Sequence, residues 1–285
     1  MIAYFDTAVF DRIYRKDGCG SADIAALRKA VYGRELTVQL SPHHLEEILL
    51  ARKLTPQALS ARLRQTLSLA SLRSLLKPCE HLLIGDVRNY AAQGEAGNPF
   101  LHGPVQDDYS SGIAELIESD GEEFSEEFRE ALAKVRRQKI NLTALFERIQ
   151  AKFKAEVDLQ RASERSPITV WNARAEEVAG AIAEAGGLLE ECQARGLDGL
   201  LAINTVRVAV AMLLAKSGAA PPTGGAAPDF EGLHHVIGAA ASGGVFVSGE
   251  SRLRAMLAAP AAAGLLPERC EVIDLAELLG RVGAR

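Results

Sequence analysis

The strongest constraint on the fold is an alternation of short apolar strands and helices at both ends of the chain but not in its middle. The strand patterns cover 2–5, 36–40, 245–248 and 271–274. Helical patterns lie among them and begin at Ser21, Ser41, Asp229 and Ser251. Short links between alternating strands and helices are typical of a parallel sheet. We therefore predict one α/β domain that is assembled from two separated pieces of the chain.

The middle of the chain has a different pattern. Residues 51–215 read as almost entirely helical, apart from a loop around 92–112. The stretch 217–228 is rich in Gly, Ala and Pro and is typical of a connector. We therefore divide the chain into a first core part (1–50), an all-α insertion (51–215) and a second core part (216–285).

Composition is that of a globular protein, with 48% hydrophobic and 24% charged residues. The four cysteines are scattered without a C-x-x-C pair, so we expect free thiols and a reducing compartment. The first residues lack the basic and apolar regions of a signal peptide. The longest apolar stretch, 200–214, contains Asn204 and Arg207 and is too short to span a bilayer. We expect a soluble, cytoplasmic protein with no membrane partner.

Four carboxylates stand at the predicted strands or just after them. Asp6 ends the first strand, and Glu47 lies in the helix that follows the second. Asp229 opens the helix before the third strand, and Glu250 follows that strand. In an open parallel sheet, ligands bind outside the carboxyl ends of the strands. We therefore expect these four residues to converge on one cleft.

Several carboxylates in one cleft need a cation between them. Two unit charges about 4 Å apart repel by roughly 4 kcal/mol at an effective dielectric constant of about 20. Oxygen ligands select Mg²⁺ or Mn²⁺, and such an ion would offset the repulsion. A bound ion of this kind polarises a phosphoryl oxygen and lowers the pKa of bound water. The pattern thus predicts a metal-dependent hydrolase of phosphodiester bonds.

Four segments in this order resemble the PIN domain: YFDTAVF, LSPHHLEEIL, DFEGLHHVIGAA and VFVSGESRL. The resemblance covers 1–50 and 225–280. It implies an α/β/α sandwich with a central parallel sheet and a ribonuclease activity that depends on Mg²⁺ or Mn²⁺. The catalytic and metal-binding residues that it implies are Asp6, Glu47, Asp229 and Glu250. The chain departs from the family at Glu250, where an Asp is usual, and in the 182 positions that separate Glu47 from Asp229, which the insertion accounts for. Ser248 stands where a Thr is usual.

Two other functions fit part of this pattern. The first is a PIN-like binding or scaffold protein that has lost catalysis, which the replacement at Glu250 and the size of the helical insertion favour. The second is a phosphatase of the haloacid dehalogenase type, whose nucleophile also ends a first strand. That class usually carries D-x-D, and Ala8 occupies the position of its second Asp.

Several neighbours of the acids have simpler interpretations. The doublets His43-His44 and His234-His235 lack the H-E-x-x-H spacing of a zinc-binding helix. We expect them to pack on their helices, with one histidine of the second doublet near the cleft but not as a ligand. Of the adjacent acids Glu46 and Glu47, we expect Glu46 on the surface.

RNA is the partner that the resemblance implies. The chain carries a net charge of −5, so any surface for nucleic acid must be a local patch. Residues 49–79 contain six basic residues and no acid, and they either wall the cleft or form a solvated face. Compact PIN proteins are often toxins, so an antitoxin is a possible protein partner by analogy. The sequence does not define the substrate or the oligomeric state.

Overall fold

A five-stranded sheet, with all strands parallel, forms the centre of the computed structural model. The structure describes residues 1–49, 55–94, 97–120, 125–161, 167–218, 232–262, 264, 266–267 and 270–283. The strands are β1 (Ile2–Phe5), β2 (Thr37–Leu40), β3 (Ala70–Leu75), β4 (Val245–Val247) and β5 (Val272–Ile273). Their order across the sheet is β3-β2-β1-β4-β5.

Helices make up most of the remaining described chain. In the first part they are α1 (Thr7–Arg15), α2 (Ser21–Tyr32), α3 (Pro42–Leu49), α4 (Pro56–Leu67), α5 (Cys79–Ala91), α6 (Pro104–Glu118) and α7 (Glu126–Arg161). They continue with α8 (Pro167–Ala185), α9 (Leu189–Arg195), α10 (Leu197–Leu201), α11 (Asn204–Gly218), α12 (Leu233–Ser242), α13 (Ser251–Ala262) and α14 (Leu275–Gly283).

The strand order places a topological switch point between β1 and β4. From β1 the chain builds outward through β2 to β3, and it later returns to the opposite side of β1 with β4 and β5. Connections on the two sides of a switch point diverge and leave a crevice outside the carboxyl ends of the strands. The residues that follow β1 and β4 therefore flank the crevice where a ligand site is expected.

Hydrophobic residues on the two faces of the sheet belong to separate clusters, because side chains alternate along a strand. Tyr4 and Phe246 join a cluster with apolar residues of α5, α8, α11 and α12. Phe5 and Val247 join another with residues of α1, α2, α4, α6 and α14. The long helix α7 contributes to both: Phe128 to the second and Phe146 to the first. Helices thus cover both faces, as in a layered α/β fold.

The α/β class and the parallel sheet that the sequence predicts are confirmed. Strand patterns at both ends of the chain become β1, β2, β4 and β5; β1 has the predicted bounds, and the other three differ by one residue at one or both ends. Gly243 ends α12 with φ 65°, a left-handed conformation that glycine adopts at low cost. The predicted start of that helix, at Asp229, lies outside the described residues.

The prediction of an all-α segment over 51–215 is wrong in one respect. Residues 70–75 form β3, which pairs with β2 at the edge of the sheet. The sequence ASLRSL lacks a run of β-branched residues and follows the helix α4 within three residues, so its local pattern continues the helical one. Pairing with β2 determines its conformation. The loop predicted around 92–112 is also shorter, because α6 begins at Pro104.

Two features of the structure relate to the predictions about membrane spans and about the cysteines. Among the described residues, no helix combines the length and apolar character that a bilayer span requires. All four cysteines are free thiols and buried.

Candidate metal centre

Asp6 follows β1 directly, and its carboxylate is buried at the switch point. Oδ1 accepts a hydrogen bond from the Val9 amide nitrogen at 2.8 Å, which caps the start of α1. Oδ2 accepts one from Ser248 Oγ at 2.6 Å and one from the Gly249 amide nitrogen at 3.0 Å. A side chain at Gly249 would obstruct this approach, since its Cβ would lie 2.9 Å from the Cβ of Ala8. The Asp6 carboxylate therefore ties the end of β1 to the end of β4.

Glu47, on α3, contacts two histidines of α12 and one lysine of α7. Its Oε1 lies 2.8 Å from His234 Nε2 and 2.5 Å from Lys139 Nζ. Its Oε2 lies 3.2 Å from His235 Nε2. The same Nε2 is 3.2 Å from the hydroxyl oxygen of Thr7, the residue after Asp6. This contact places the cluster beside the carboxyl end of β1.

The two histidine doublets pack against each other where α3 meets α12. The ring centroids of His43 and His234 are 4.9 Å apart, and those of His44 and His235 are 4.8 Å apart. Within the second doublet the centroids are 4.1 Å apart. All four imidazoles are buried. This stacking holds His234 and His235 with both Nε2 atoms on the Glu47 carboxylate.

The protonation states of the cluster suit metal ligation. Burial opposes the ionisation of Glu47, but the proximity of His235 and the contacts of both histidines with its carboxylate outweigh it and hold the pKa of Glu47 far below its usual range. Burial, and then the proximity of His235, lowers the pKa of His234 to about 3. At neutral pH Glu47 is thus ionised and His234 is neutral, which are the forms that bind metal ions.

Glu47, His234 and His235 can hold a metal ion together. Each offers one ligand atom, and these three atoms lie within 4.8 Å of one another. In the described ranges, this is the only group of three or more His, Cys, Asp and Glu side chains with that geometry. Two imidazole nitrogens and one carboxylate suit Zn²⁺ or Mn²⁺, whereas Mg²⁺ favours oxygen ligands. The donor set therefore fits a divalent cation, but it has one carboxylate where the sequence predicts four.

The four predicted acids have different positions. Asp6 and Glu47 lie at the same edge of the sheet. Burial raises the pKa of Tyr4 well above its usual value, and the charges of both carboxylates add to that effect. Glu47 belongs to the cluster, whereas both Asp6 oxygens accept hydrogen bonds within the protein. The side chain of Glu250 is exposed, and Asp229 lies outside the described residues. The structure thus brings two of the four acids to one edge.

Both histidines of the second doublet contact Glu47, where we expected at most one near the cleft. Their position directly after DFEGL, beside a predicted acid, was the available signal. Lys139 gave no such signal, since it lies 92 positions from Glu47 and reaches it only through the packing of α7 on α3. Sequence spacing cannot reveal a contact of this kind.

The expectation that Glu46 lies on the surface is wrong. Its exposed fraction is 6%, because α3 packs against α1, α4 and α7 and presents more than one face to the interior. Burial raises the pKa of Glu46. Its Oε2 has no hydrogen-bond partner within the described part of the protein. A buried carboxyl group beside the cluster is a candidate proton carrier.

The basic residues of 49–79 do not form one open patch. Arg62 is buried and forms an ion pair with Asp11. Arg64 donates a hydrogen bond to the Ile117 carbonyl oxygen at 2.8 Å. Two of the six basic residues lie outside the described ranges. Arg62 and Arg64 therefore hold helices together, so a phosphate-binding role for the whole segment is not supported.

Comparison of the chain with protein-family models, with curated proteins and with solved structures finds no match in any of the three.

Proposed function

We propose that the chain is a metal-dependent hydrolase of phosphodiester bonds that acts at the cluster of Glu47, His234 and His235. The observation that carries this proposal is the convergence of their three ligand atoms within 4.8 Å. The cluster lies beside the end of β1, where an open parallel sheet binds ligands. The resemblance to the PIN domain supports the same chemistry and adds Asp6, Asp229 and Glu250 as proposed participants.

A divalent cation held by these residues would act as a Lewis acid: it would polarise a phosphoryl oxygen and lower the pKa of bound water. The residues of the chain supply its ligands and the surrounding charge. Glu47 contributes the anionic ligand, and the two histidines contribute neutral nitrogens. We propose Mn²⁺ or Zn²⁺ for this donor set. Mg²⁺, which the resemblance implies, would require further oxygen ligands, and Asp229 is the proposed source.

Lys139 supplies the positive charge next to the metal ligands. Its ammonium pairs with Glu47 and its side chain is 22% exposed, so the residue lies at the boundary between the cluster and solvent. Arg136, one turn earlier on α7, is exposed. Helix α7 belongs to the segment that we interpret as an insertion. In this proposal α7 provides cations for the phosphates of an RNA strand, while the chain as a whole stays acidic.

The test is cleavage of labelled single-stranded RNA, hairpin RNA and DNA by purified protein in Mn²⁺, Zn²⁺, Mg²⁺ or EDTA. The informative variant is Glu47→Gln, which removes the anionic ligand but keeps its size. Glu130→Gln, at an exposed site on α7, is the matched control. We expect metal-dependent cleavage that the first variant abolishes and the second retains. Asp6→Asn is a poorer test, because it would also disturb the link between β1 and β4.

Equal cleavage by Glu47→Gln and by the unsubstituted protein would contradict the proposal. Cleavage that persists in EDTA would contradict it as well, since the activity would not need the ion. Circular dichroism of each variant shows that the fold is intact in these comparisons.

A second candidate is a PIN-like binding or scaffold protein without catalysis. Two contacts favour it: both Asp6 oxygens accept hydrogen bonds from the protein, and Lys139 already neutralises Glu47. The folded chain is thus electrostatically satisfied at these two acids without an ion. Metal binding with no cleavage of any nucleic acid would favour this candidate over the hydrolase.

A further inference from the structure

A line of hydrogen bonds runs from the backbone of β1 to the His235 imidazole through three buried side chains. His44 Nε2 lies 2.6 Å from the Phe5 carbonyl oxygen, and His44 Nδ1 lies 3.1 Å from Ser41 Oγ. Ser41 Oγ is 2.8 Å from the Tyr4 hydroxyl oxygen, which is 3.1 Å from His235 Nδ1. The five residues come from four parts of the fold: Tyr4 and Phe5 from β1, Ser41 from the loop before α3, His44 from α3 and His235 from α12.

The first donor in this line is determined by its acceptor. A carbonyl oxygen only accepts, so His44 Nε2 carries a hydrogen. Nδ1 of the same ring faces a backbone amide, which can only donate, so Nδ1 has a lone pair and the ring is neutral. The Ser41 amide nitrogen donates to that lone pair at 3.0 Å. The tautomer of His44 follows from these contacts.

One continuous set of directions for the remaining bonds is compatible with this tautomer. Because His44 Nδ1 is an acceptor, its contact with Ser41 Oγ is favourable when the serine hydroxyl hydrogen points toward it. The serine oxygen then accepts from the Tyr4 hydroxyl. The Tyr4 hydroxyl has a single hydrogen, which it then donates to Ser41 Oγ. In this arrangement the tyrosine oxygen accepts, and His235 Nδ1 donates to it.

We propose that His44, Ser41 and Tyr4 are positioning residues that hold His235 in the Nδ1–H tautomer and thereby present Nε2 as a bare ligand atom. This inference rests on the metal site of the proposed function. Nε2 then faces Glu47 Oε2 at 3.2 Å, and both atoms carry lone pairs. The Thr7 hydroxyl can donate to Nε2, but the carboxylate cannot. A divalent cation between Nε2 and Oε2 satisfies both.

The tautomer can be measured without any metal. In ¹⁵N-labelled protein in EDTA at about pH 8, above the usual histidine pKa, long-range ¹H–¹⁵N spectra distinguish protonated from bare ring nitrogens. The spectrum of His235→Gln identifies the signals of His235. We expect a hydrogen on Nδ1 and a bare Nε2 in the unsubstituted protein. A hydrogen on Nε2, donated to Glu47, would overturn the inference.

The second readout is Zn²⁺ affinity by calorimetry. Tyr4→Phe removes only the hydroxyl group, and Tyr109→Phe is the matched control at a second buried tyrosine, which packs against Phe128. Loss of a group that orients a ligand weakens metal binding by about 10–100-fold. We expect this loss for Tyr4→Phe, together with a hydrogen on His235 Nε2, and neither change for Tyr109→Phe.

The outcomes separate the inference from the function on which it rests. Absence of Zn²⁺ binding in the unsubstituted protein would overturn the metal site and with it the ligand role of His235. Normal binding that Tyr4→Phe leaves unchanged would overturn the positioning role alone. If Tyr4→Phe does not fold, Ser41→Ala replaces it, with Ser60→Ala as control at another fully buried serine.

Discussion

Ser248 donates a hydrogen bond to the Asp6 carboxylate at 2.6 Å and so joins the ends of the two strands that flank the switch point. Asp6 is 1% exposed, and its other donors are backbone amides. The residue that the PIN resemblance implies as the first metal ligand therefore has a structural task as well. Stability and metal binding must be measured separately at this position.

Ser248→Ala should destabilise the protein. The substitution leaves one oxygen of a buried carboxylate with fewer donors, which costs about 1–3 kcal/mol in the free energy of unfolding. Ser110→Ala is the control, because the Ser110 hydroxyl donates to the Gln106 carbonyl oxygen within its own helix α6. We expect the control to change stability by less than about 0.5 kcal/mol. Urea denaturation measures both, and equal effects of the two substitutions would contradict the structural role of Ser248.

Gly238→Ala should destabilise α12 although alanine is the better helix former. A Cβ at Gly238 would lie 2.8 Å from the Tyr4 ring, so the ring or the helix must move. Overpacking of this kind costs about 1–3 kcal/mol. At Gly85 in α5 an added Cβ has no atom within 4 Å, and alanine there should gain up to about 1 kcal/mol. Thermal unfolding of both variants tests whether the two substitutions change stability in opposite directions. Two stabilised variants would contradict the prediction.

Lys139→Met should raise the affinity for Zn²⁺ or Mn²⁺. The ammonium pairs with Glu47 at 2.5 Å and competes with any cation for the same oxygen. A partly exposed pair contributes on the order of 1 kcal/mol, which corresponds to about a five- to tenfold change in Kd. Lys134→Met, at an exposed site on the same helix, should leave the Kd unchanged. Calorimetric titration measures both values, and weaker binding by Lys139→Met would show that Lys139 supports the site.

Acid should destabilise the metal-free protein through His44. Its pKa is about 3 in the folded protein and 6.5 as its ordinary value, so the unfolded chain binds the extra proton between these limits. The free energy of unfolding should therefore fall as pH decreases from about 6.5 to 3, by up to about 1.4 kcal/mol per pH unit for this one group. Urea denaturation in EDTA across this pH range measures the free energy of unfolding. Its slope against pH gives the number of protons that the chain takes up when it unfolds.

Two variants test whether His44 is the group responsible for this pH dependence. His44→Gln should reduce the slope of stability against pH by up to one proton, whereas His102→Gln, at an exposed histidine, should not change it. An unchanged slope in His44→Gln would show that His44 is not the group that is kept neutral by folding.

Local pattern predicted the parallel sheet because strands and helices at the two ends of the chain differ in period and are separated by clear stop signals. Ser41-Pro42, which marks the start of α3, and Gly243, which ends α12, are examples. The strand β3 escaped prediction because its sequence has no strand pattern of its own, and only pairing with β2 makes it extended. The proposed division of the chain into core and insertion stays a prediction.

By itself the sequence determined which residue types stand near the carboxyl ends of β1, β2 and β4, and Asp6 and Glu47 follow from that. Tertiary structure alone decided which of them meet. The packing of α12 on α3 brings two histidines to Glu47, and the packing of α7 adds Lys139 from 92 positions away. These contacts depend on distances between helices that are remote along the chain. Periodicity describes one helix at a time, so it cannot specify them.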